Sequence, residues 1–364
     1  MLSIYERLTD GFRLGSSAEF SDLRDKCFAL REILIPDETW PQFREWHTFP
    51  DDEASHRSVI LLAFRRGYLP CVTGPVHRYL LSPTGILPSV SKQYVKDLRE
   101  RWMFDADPVE RNRLSRSFRG RLIELQFASW LESQSHRIVG MEATRKGPDI
   151  ETLSESGEAN AFEVKFIGME DGDFRVLLRS MGGYPAGGAV SPYQAVNYLL
   201  FRVYEAARQL MAASGRKTAV IAIDELSWHR FDVQLRGNWI DWENPRFIAP
   251  DDHWNQFLSL QQRRYPDLPN DLADTIRGID SVKIFRQNAA FEFRPEKEFS
   301  RRRNSAGNRI PGAFASVQLH KQRESQVERR PAALIRCNER RLPVGLLHEQ
   351  RVADGVQAHA LHLL

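Results

Sequence analysis

The order of apolar patterns between residues 115 and 223 is the feature that most constrains the fold of this 364-residue chain. Apolar side chains at helical spacing are followed by short runs at strand spacing, then by a second helical segment and another strand. In chain order, the predicted helix, three strands, helix and strand occupy residues 115–133, 136–143, 149–153, 161–167, 192–213 and 218–223. The last strand, TAVIAI, is apolar throughout, as is typical of a buried central strand. The pattern predicts an α/β fold with a small mixed sheet flanked by helices.

The predicted core divides the chain into three regions. Residues 1–110 are expected to form a mostly helical N-terminal region, with a charged amphipathic helix over 91–103. They hold no motif to which chemistry can be attached, so a helical domain or partner surface is the plainer interpretation and DNA recognition the weaker one. Residues 111–298 form the predicted core domain with its C-terminal elaboration. Residues 299–364 are rich in arginine and weakly periodic, so we expect a poorly ordered C-terminal extension.

The net charge of +3 is unevenly distributed along the chain. Residues 301–364 carry 12 Lys and Arg against 5 Asp and Glu, a balance of +7, which leaves −4 for residues 1–300. The body is therefore not a general DNA-coating protein, and attraction for phosphates must come from local patches or a metal ion. The three cysteines form no CxxC pair, and no apolar run approaches the roughly 20 residues of a membrane span. We expect a cytoplasmic protein without membrane contact.

Four polar residues are the candidates for chemistry. Glu163 and Lys165 lie two positions apart on a predicted strand, so their side chains leave the same face. Asp149 begins the neighbouring strand and approaches Glu163 if the two strands pair as a hairpin. Glu124 lies on the preceding helix, within reach of the same place. The expected result is a cluster of three carboxylates and one ammonium group.

Phosphodiester hydrolysis requires this set of side chains. Mg²⁺ prefers oxygen ligands and takes one or two carboxylates together with water and phosphate oxygens. The ion stabilises charge on the phosphate and produces a better nucleophile. A nearby lysine ammonium can hold the attacking water or the phosphate oxygens. Of the nine lysines, only Lys165 has a carboxylate two positions before it, which makes the pattern more specific than a surface Glu–Lys alternation.

The segment KGPD at 146–149, followed by FEVK at 162–165, resembles the PD-(D/E)XK signature of restriction-endonuclease-like nucleases. The order of predicted elements around both segments is similar to that family as well. The resemblance implies a restriction-endonuclease-like core and a nuclease that cuts double-stranded DNA, with Mg²⁺ as cofactor and Mn²⁺ as a substitute. Further protein subunits or a second copy of the chain are compatible partners. A defence, restriction or repair setting follows by analogy only.

The same resemblance implies a role for each residue of the cluster. Asp149 and Glu163 would be metal ligands, assisted by the main-chain carbonyl of Val164. Glu124 matches the acidic residue that many members carry on the preceding helix, where it helps to hold the metal. Lys165 would position or activate the attacking water.

A second helix carries a weaker match. Gln194 and Tyr198, four residues apart, resemble the QxxxY element of the RecB-like branch, which makes them candidates for substrate contact or support. A long Gly-rich loop over 168–191 separates them from Lys165, and such loops are usually functional or mobile. Capping of a core edge is the plainer interpretation of this pair.

Other residues of the cluster also have plainer interpretations. Glu124 can be an ordinary helix-surface carboxylate, and Asp149 can be a turn residue held by its own side-chain hydrogen bonds. Arg119 and Arg121, which flank Glu124, are candidates for phosphate contact, but solvation is the plainer expectation because exposed helix arginines are usually solvated. For the whole chain, the alternatives are a nuclease-fold module that binds nucleic acid or a partner protein without cutting, and a nuclease directed at RNA.

Overall fold

The computed structural model describes residues 74–81, 86, 88–101, 108–141, 147–168, 192–236, 240–248, 252–288, 293–303 and 309–317. A π-helical turn at His77–Leu81 precedes the other elements. The helices are α1 Pro88–Arg101, α2 Pro108–Ser133, α3 Pro192–Leu210, α4 Glu225–Arg236, α5 Asp252–Gln261 and α6 Leu272–Arg277. The strands are β1 Arg137–Met141, β2 Ile150–Leu153, β3 Ala159–Ile167, β4 Arg216–Asp224, β5 Ser281–Gln287, β6 Phe293–Arg303 and β7 Arg309–Val317. None of the described helices has the length and apolarity needed to cross a membrane.

The strands form one mixed sheet, in which spatial order follows chain order from β1 to β7. The central strands β3, β4 and β5 are parallel, and the strands on both sides are antiparallel to their neighbours. The predicted α/β class with a mixed sheet and flanking helices is confirmed. The apolar strand β4 is central, as its sequence indicated, because it pairs with β3 and β5 and buries Ala219–Ile223 completely.

Helices cover both faces of the sheet, and each uses a different set of side chains. On one face, Phe127 of α2 meets Phe162 and Phe285 edge to face, each with 5.4 Å between ring centroids. On the other face, α3 packs on β3 and β4 over a core that includes Leu199, Val203, Tyr204, Leu210, Ile221 and Ile284. The α3 connection carries the chain from β3 to parallel β4, as a crossover between parallel strands must.

The strand that carries FEVK alternates between these two layers. Phe162 points to Phe127, whereas Ala161 and Ile167 belong to the core beneath α3. Glu163 and Lys165 have the same parity as Ala161 and Ile167, so they leave the α3 face of β3. Period-two alternation therefore selects the face on which the charged pair lies.

The sheet extends beyond the predicted core domain, and the expectation of a poorly ordered segment from residue 299 is wrong at its start. β6 continues to Arg303, and β7 adds a further paired strand. Main-chain pairing with β5 and the burial of Phe299 against Trp242 fix this region despite its arginines. Residues 318–364 lie outside the described residues.

The N-terminal boundary also differs from the expectation at residue 110. α2 begins at Pro108, seven residues before the predicted start, and α1 packs directly against it. The amphipathic helix predicted over 91–103 is confirmed as α1, which joins the same body as the sheet. Residues 1–73 and the Gly-rich segment 169–191 lie outside the described residues.

Candidate active site

The β2–β3 hairpin brings Asp149 and Glu163 together. Ile150 pairs with Phe162 in the antiparallel ladder, which places Asp149 beside Glu163 at the start of β2. The main-chain N–H of Asp149 donates to Glu163 Oε2 at 3.3 Å, and that of Val164 donates to Asp149 Oδ2 at 2.7 Å. The interpretation of Asp149 as a mere turn residue is incomplete, because its carboxylate accepts a hydrogen bond from the next strand.

The hairpin link itself is short and well bonded. The N–H of Ser154 donates to the carbonyl of Glu158 at 3.0 Å, and the N–H of Gly157 donates back to Ser154 at 2.9 Å. Gly157 has a φ of 80°, a conformation that glycine adopts without steric cost. This turn sets the register of β2 against β3, and with it the approach of the two carboxylates.

Lys165 joins the pair from the same strand face. Its Nζ donates to Glu163 Oε1 at 2.5 Å and also to the side-chain oxygen of Gln209 on α3. The Glu163 side chain is completely buried, whereas that of Lys165 is 20% exposed. The ammonium group therefore lies between a buried carboxylate and the solvent-accessible edge of the cluster.

Glu124 reaches the cluster from α2, and neighbouring side chains engage both of its oxygens. The Tyr94 hydroxyl of α1 donates to Oε2, and Arg121 donates to Oε1 and Oε2 at 3.0 and 3.1 Å. Arg121 also pairs through Nε with Asp97 Oδ2 at 2.8 Å. Glu124 is only 7% exposed, so its interpretation as a helix-surface carboxylate is wrong. The metal-ligand role of Glu124 stays a prediction.

The flanking arginines also differ from the expectation. Arg119 is buried and donates to Gln287 Oε1 of β5 at 3.1 Å, while Arg121 bridges Glu124 and Asp97. Neither is a solvated helix arginine. Both are held because α2 lies on the sheet on one side and against α1 on the other.

Burial makes the carboxylates of this cluster weak acids. Desolvation, followed by the charge of Asp149, raises the pKa of Glu124 to about 7. Desolvation and then the charge of Glu163 raise the pKa of Asp149 to about 8. Burial likewise raises the pKa of Glu163, although Lys165 opposes the change. The raised pKa values of Glu124 and Asp149 result first from burial and second from the charge of a neighbouring carboxylate.

The formal charges of the cluster do not balance. Four carboxylates, Asp97, Glu124, Asp149 and Glu163, are joined by hydrogen bonds or Coulombic contact to two cations, Arg121 and Lys165, an excess of two negative charges. Within the described ranges, no three His, Cys, Asp or Glu side chains form a preassembled metal cage. Mg²⁺ does not need one, because one or two carboxylates with waters and phosphate oxygens suffice. The all-oxygen donor pair of Asp149 and Glu163 fits this ion.

The other predicted residues lie in different surroundings. Tyr198 accepts hydrogen bonds from Arg202, at 3.1 Å from Nε, and its ring meets Phe257 edge to face. Gln194 lies 15 positions before Gln209, about 22 Å along α3 at 1.5 Å per residue. The residue of α3 that contacts Lys165 is thus Gln209, which no motif indicated. The substrate roles of Gln194 and Tyr198 and the metal contact of the Val164 carbonyl stay predictions.

Sequence reasoning also missed the contribution of α1. Tyr94 is fully buried, and Asp97 is 4% exposed. The signal that could have found them is their shared face on the amphipathic helix, where a tyrosine and an aspartate stand among apolar residues. Comparisons of the chain with protein-family models, curated proteins and solved structures find no significant match.

Proposed function

We propose that this chain is a Mg²⁺-dependent nuclease of the PD-(D/E)XK type that hydrolyses phosphodiester bonds in double-stranded DNA. The observation that carries the proposal is the hydrogen-bonded cluster of Asp149, Glu163 and Lys165 at one end of a β-hairpin. Residues that the motif selects from the sequence alone, 14 and 2 positions apart, meet in one buried place. A solvated Glu–Lys strand face would leave Glu163 exposed, and it is completely buried.

Each side chain has a role that its position supports. Asp149 and Glu163 would hold Mg²⁺, which when bound supplies positive charge to the phosphate and acidifies a water molecule. Lys165, at the accessible edge, would orient the attacking water and a non-bridging phosphate oxygen. The water oxygen would form the new bond to phosphorus while the bond to the leaving alkoxide, opposite to it, breaks. The attacking water would lose one proton to solvent, and the alkoxide would take up one proton from solvent. Glu124, held by Tyr94 and Arg121, would add a carboxylate whose negative charge, when ionised, favours a divalent cation.

Lys165 also has a partner that limits its motion. Gln209 accepts a hydrogen bond from Nζ, so the ammonium has a second anchor besides Glu163. When Glu163 turns one oxygen to a cation, Gln209 would keep Lys165 in place. We therefore assign Gln209 to the positioning of Lys165, without direct contact with the substrate.

The test is incubation of the purified full chain with plasmid in the presence of Mg²⁺ or of EDTA. Cutting is expected with Mg²⁺ alone, and the Asp149→Asn and Lys165→Ala variants should each lose it while remaining folded. Glu151→Gln is the matched control, since Glu151 is exposed and lies on β2, two positions after Asp149. Cutting that persists in both site variants would place the active site elsewhere.

The same assay separates the alternatives. A folded wild-type chain that binds duplex DNA but never cuts it would support a non-cutting binding module. Preferential cutting of RNA when both substrates compete would redirect the proposal to an RNA nuclease.

A further inference from the structure

Helix α1 has a second face, which carries positive charge. Lys92, Lys96 and Arg99 are exposed and lie at positions i, i+4 and i+7, on one side of the helix. Tyr94 and Asp97, on the other side, point into the candidate active site and are buried. One face of α1 thus lies in the carboxylate cluster, and the other is exposed.

These cations line a cleft of about 510 Å³ between α1 and the π-helical turn. Its remaining lining is Leu80, Ser91 and Val95, and the Ser91 hydroxyl donates to the Leu80 carbonyl at 3.5 Å. Leu80 and Ser91 are buried and form the base of the cleft. The cations therefore line a concave surface, unlike those of an ordinary solvated helix face.

The charges in the cleft are distinctive for this chain. Residues 1–300 have a net charge of −4, so a cationic cleft is not a consequence of a generally basic body. Asp97, which neighbours Lys96 in the sequence, faces the other side of α1 and pairs with Arg121, whereas Glu100 neighbours Arg99. Lys92 and Arg99 are separated by seven residues, about 10 Å along the helix axis. Three nucleotides of one duplex strand cover the same length, at about 3.4 Å each.

We propose that Lys92, Lys96 and Arg99 bind the phosphate backbone of nucleic acid on the face of α1 opposite to the one that enters the candidate active site. The identity of the ligand rests on the proposed function, because the cleft and the carboxylate cluster share α1. Tyr94 lies between Lys92 and Lys96 in the sequence, so one rigid helix fixes the distance from the cleft to Glu124.

The experiment measures binding without cutting. The full chain is titrated in EDTA against a fluorescent duplex DNA, at several salt concentrations between about 50 and about 200 mM. The triple variant Lys92→Gln, Lys96→Gln, Arg99→Gln should flatten the slope of log affinity against log salt by about 2 to 3, since each lost phosphate contact removes about 0.9. The control triple, Arg137→Gln, Arg246→Gln, Arg263→Gln, changes the net charge equally at exposed positions outside α1 and should alter the slope by less than about 1.

The outcomes separate this inference from the proposed function. The proposal that the cleft binds the phosphate backbone would be overturned if the wild type did not bind the duplex, or if the two triple variants had equal slopes. Displacement of the duplex by inorganic phosphate at matched phosphate concentration would also overturn it, in favour of a small-anion site. Asp149→Asn should lose cutting and keep the wild-type slope. If the wild type never cuts DNA but the cleft triple still flattens the slope, the nuclease proposal fails and the cleft stands.

Discussion

The raised pKa of Glu124 predicts that the metal-free protein loses stability as the pH rises. An unfolded chain releases this proton near pH 4.5, whereas the folded protein retains it up to about pH 7. Between these values the folded state binds more protons, so the free energy of unfolding falls with rising pH. The contribution is fully present below pH 4.5 and is lost above about pH 7. Asp149, with a pKa of about 8, acts in the same direction.

The magnitude follows from the size of the pKa change. A rise from 4.5 to about 7 corresponds to about 3 kcal/mol, at roughly 1.4 kcal/mol for each pH unit. Glu124→Gln removes the ionisation and keeps a side-chain oxygen for Tyr94 and Arg121. Between about pH 4 and about pH 8.5, the free energy of unfolding should therefore fall by about 3 kcal/mol more in the wild type than in the variant. The difference is reduced by the amount that ionised Glu124 strengthens its hydrogen bonds from Arg121.

The assay is urea unfolding in EDTA at several pH values, with the slope against urea checked for constancy. Glu132→Gln is the matched control, because Glu132 lies on the same helix and also has a tyrosine and an arginine partner, Tyr79 and Arg78. This control should keep the wild-type dependence on pH. Parallel pH profiles for wild type and Glu124→Gln would refute the argument that burial and Asp149 keep Glu124 protonated.

Three further predictions follow from other parts of the structure. Mg²⁺ should raise the thermal midpoint of the wild type more at about pH 8 than at about pH 5, and Asp149→Asn should abolish this difference in a melting scan, since ion binding requires the deprotonated pair. Phe127→Ala should reduce the free energy of unfolding by about 3 to 5 kcal/mol in urea, because its ring contacts Phe162 and Phe285 in the buried layer under α2. A loss below about 1 kcal/mol would contradict this packing. Gly215→Ala should cost more than about 1 kcal/mol, because φ is 79° and a Cβ would lie 2.3 Å from the Ala159 carbonyl oxygen, whereas Gly157→Ala, with open space around it, should cost less.

The local part of the site could be predicted from the sequence, because it depends on short-range geometry. Period-two alternation places Glu163 and Lys165 on one face, and a four-residue turn returns the chain so that Asp149 meets them. The central position of β4 follows from its unbroken apolar run. These features involve residues at most 16 positions apart, where spacing and turn chemistry determine what meets.

The long-range part could not be predicted in this way. Tyr94 lies 30 positions from Glu124, and Gln209 lies 44 positions from Lys165. Helical periodicity indicates which face of α1 or α3 is buried, but it does not indicate which residue of the sheet or of α2 that face meets. Gln209 lies on the same helix as the Gln194–Tyr198 match, three to four turns further along, and no motif indicated its contact with Lys165.

The β6–β7 extension shows a different limit. Strands at the edge of a sheet are stabilised by main-chain hydrogen bonds, which every residue except proline can donate and accept, so an arginine-rich sequence can occupy them. In β6 the apolar anchors are few: Phe299 packs against Trp242, and Phe293 stacks on Phe285, so hydrophobic periodicity is weak there. Composition therefore predicts the polarity of such a segment better than its order.

The net charge of the site depends on both short-range and long-range contacts in the sequence, and a local motif does not specify the long-range ones. The hairpin alone places two carboxylates beside one lysine, a formal charge of −1. One proton bound to either carboxylate would neutralise it. α2 and α1 then add Glu124 and Asp97 against Arg121, and the balance moves to an excess of two negative charges. Such an excess is relieved either by protonation, which burial also favours at Glu124 and Asp149, or by a divalent cation. The two routes compete, so the affinity for Mg²⁺ should rise with pH through the range in which Asp149 loses its proton.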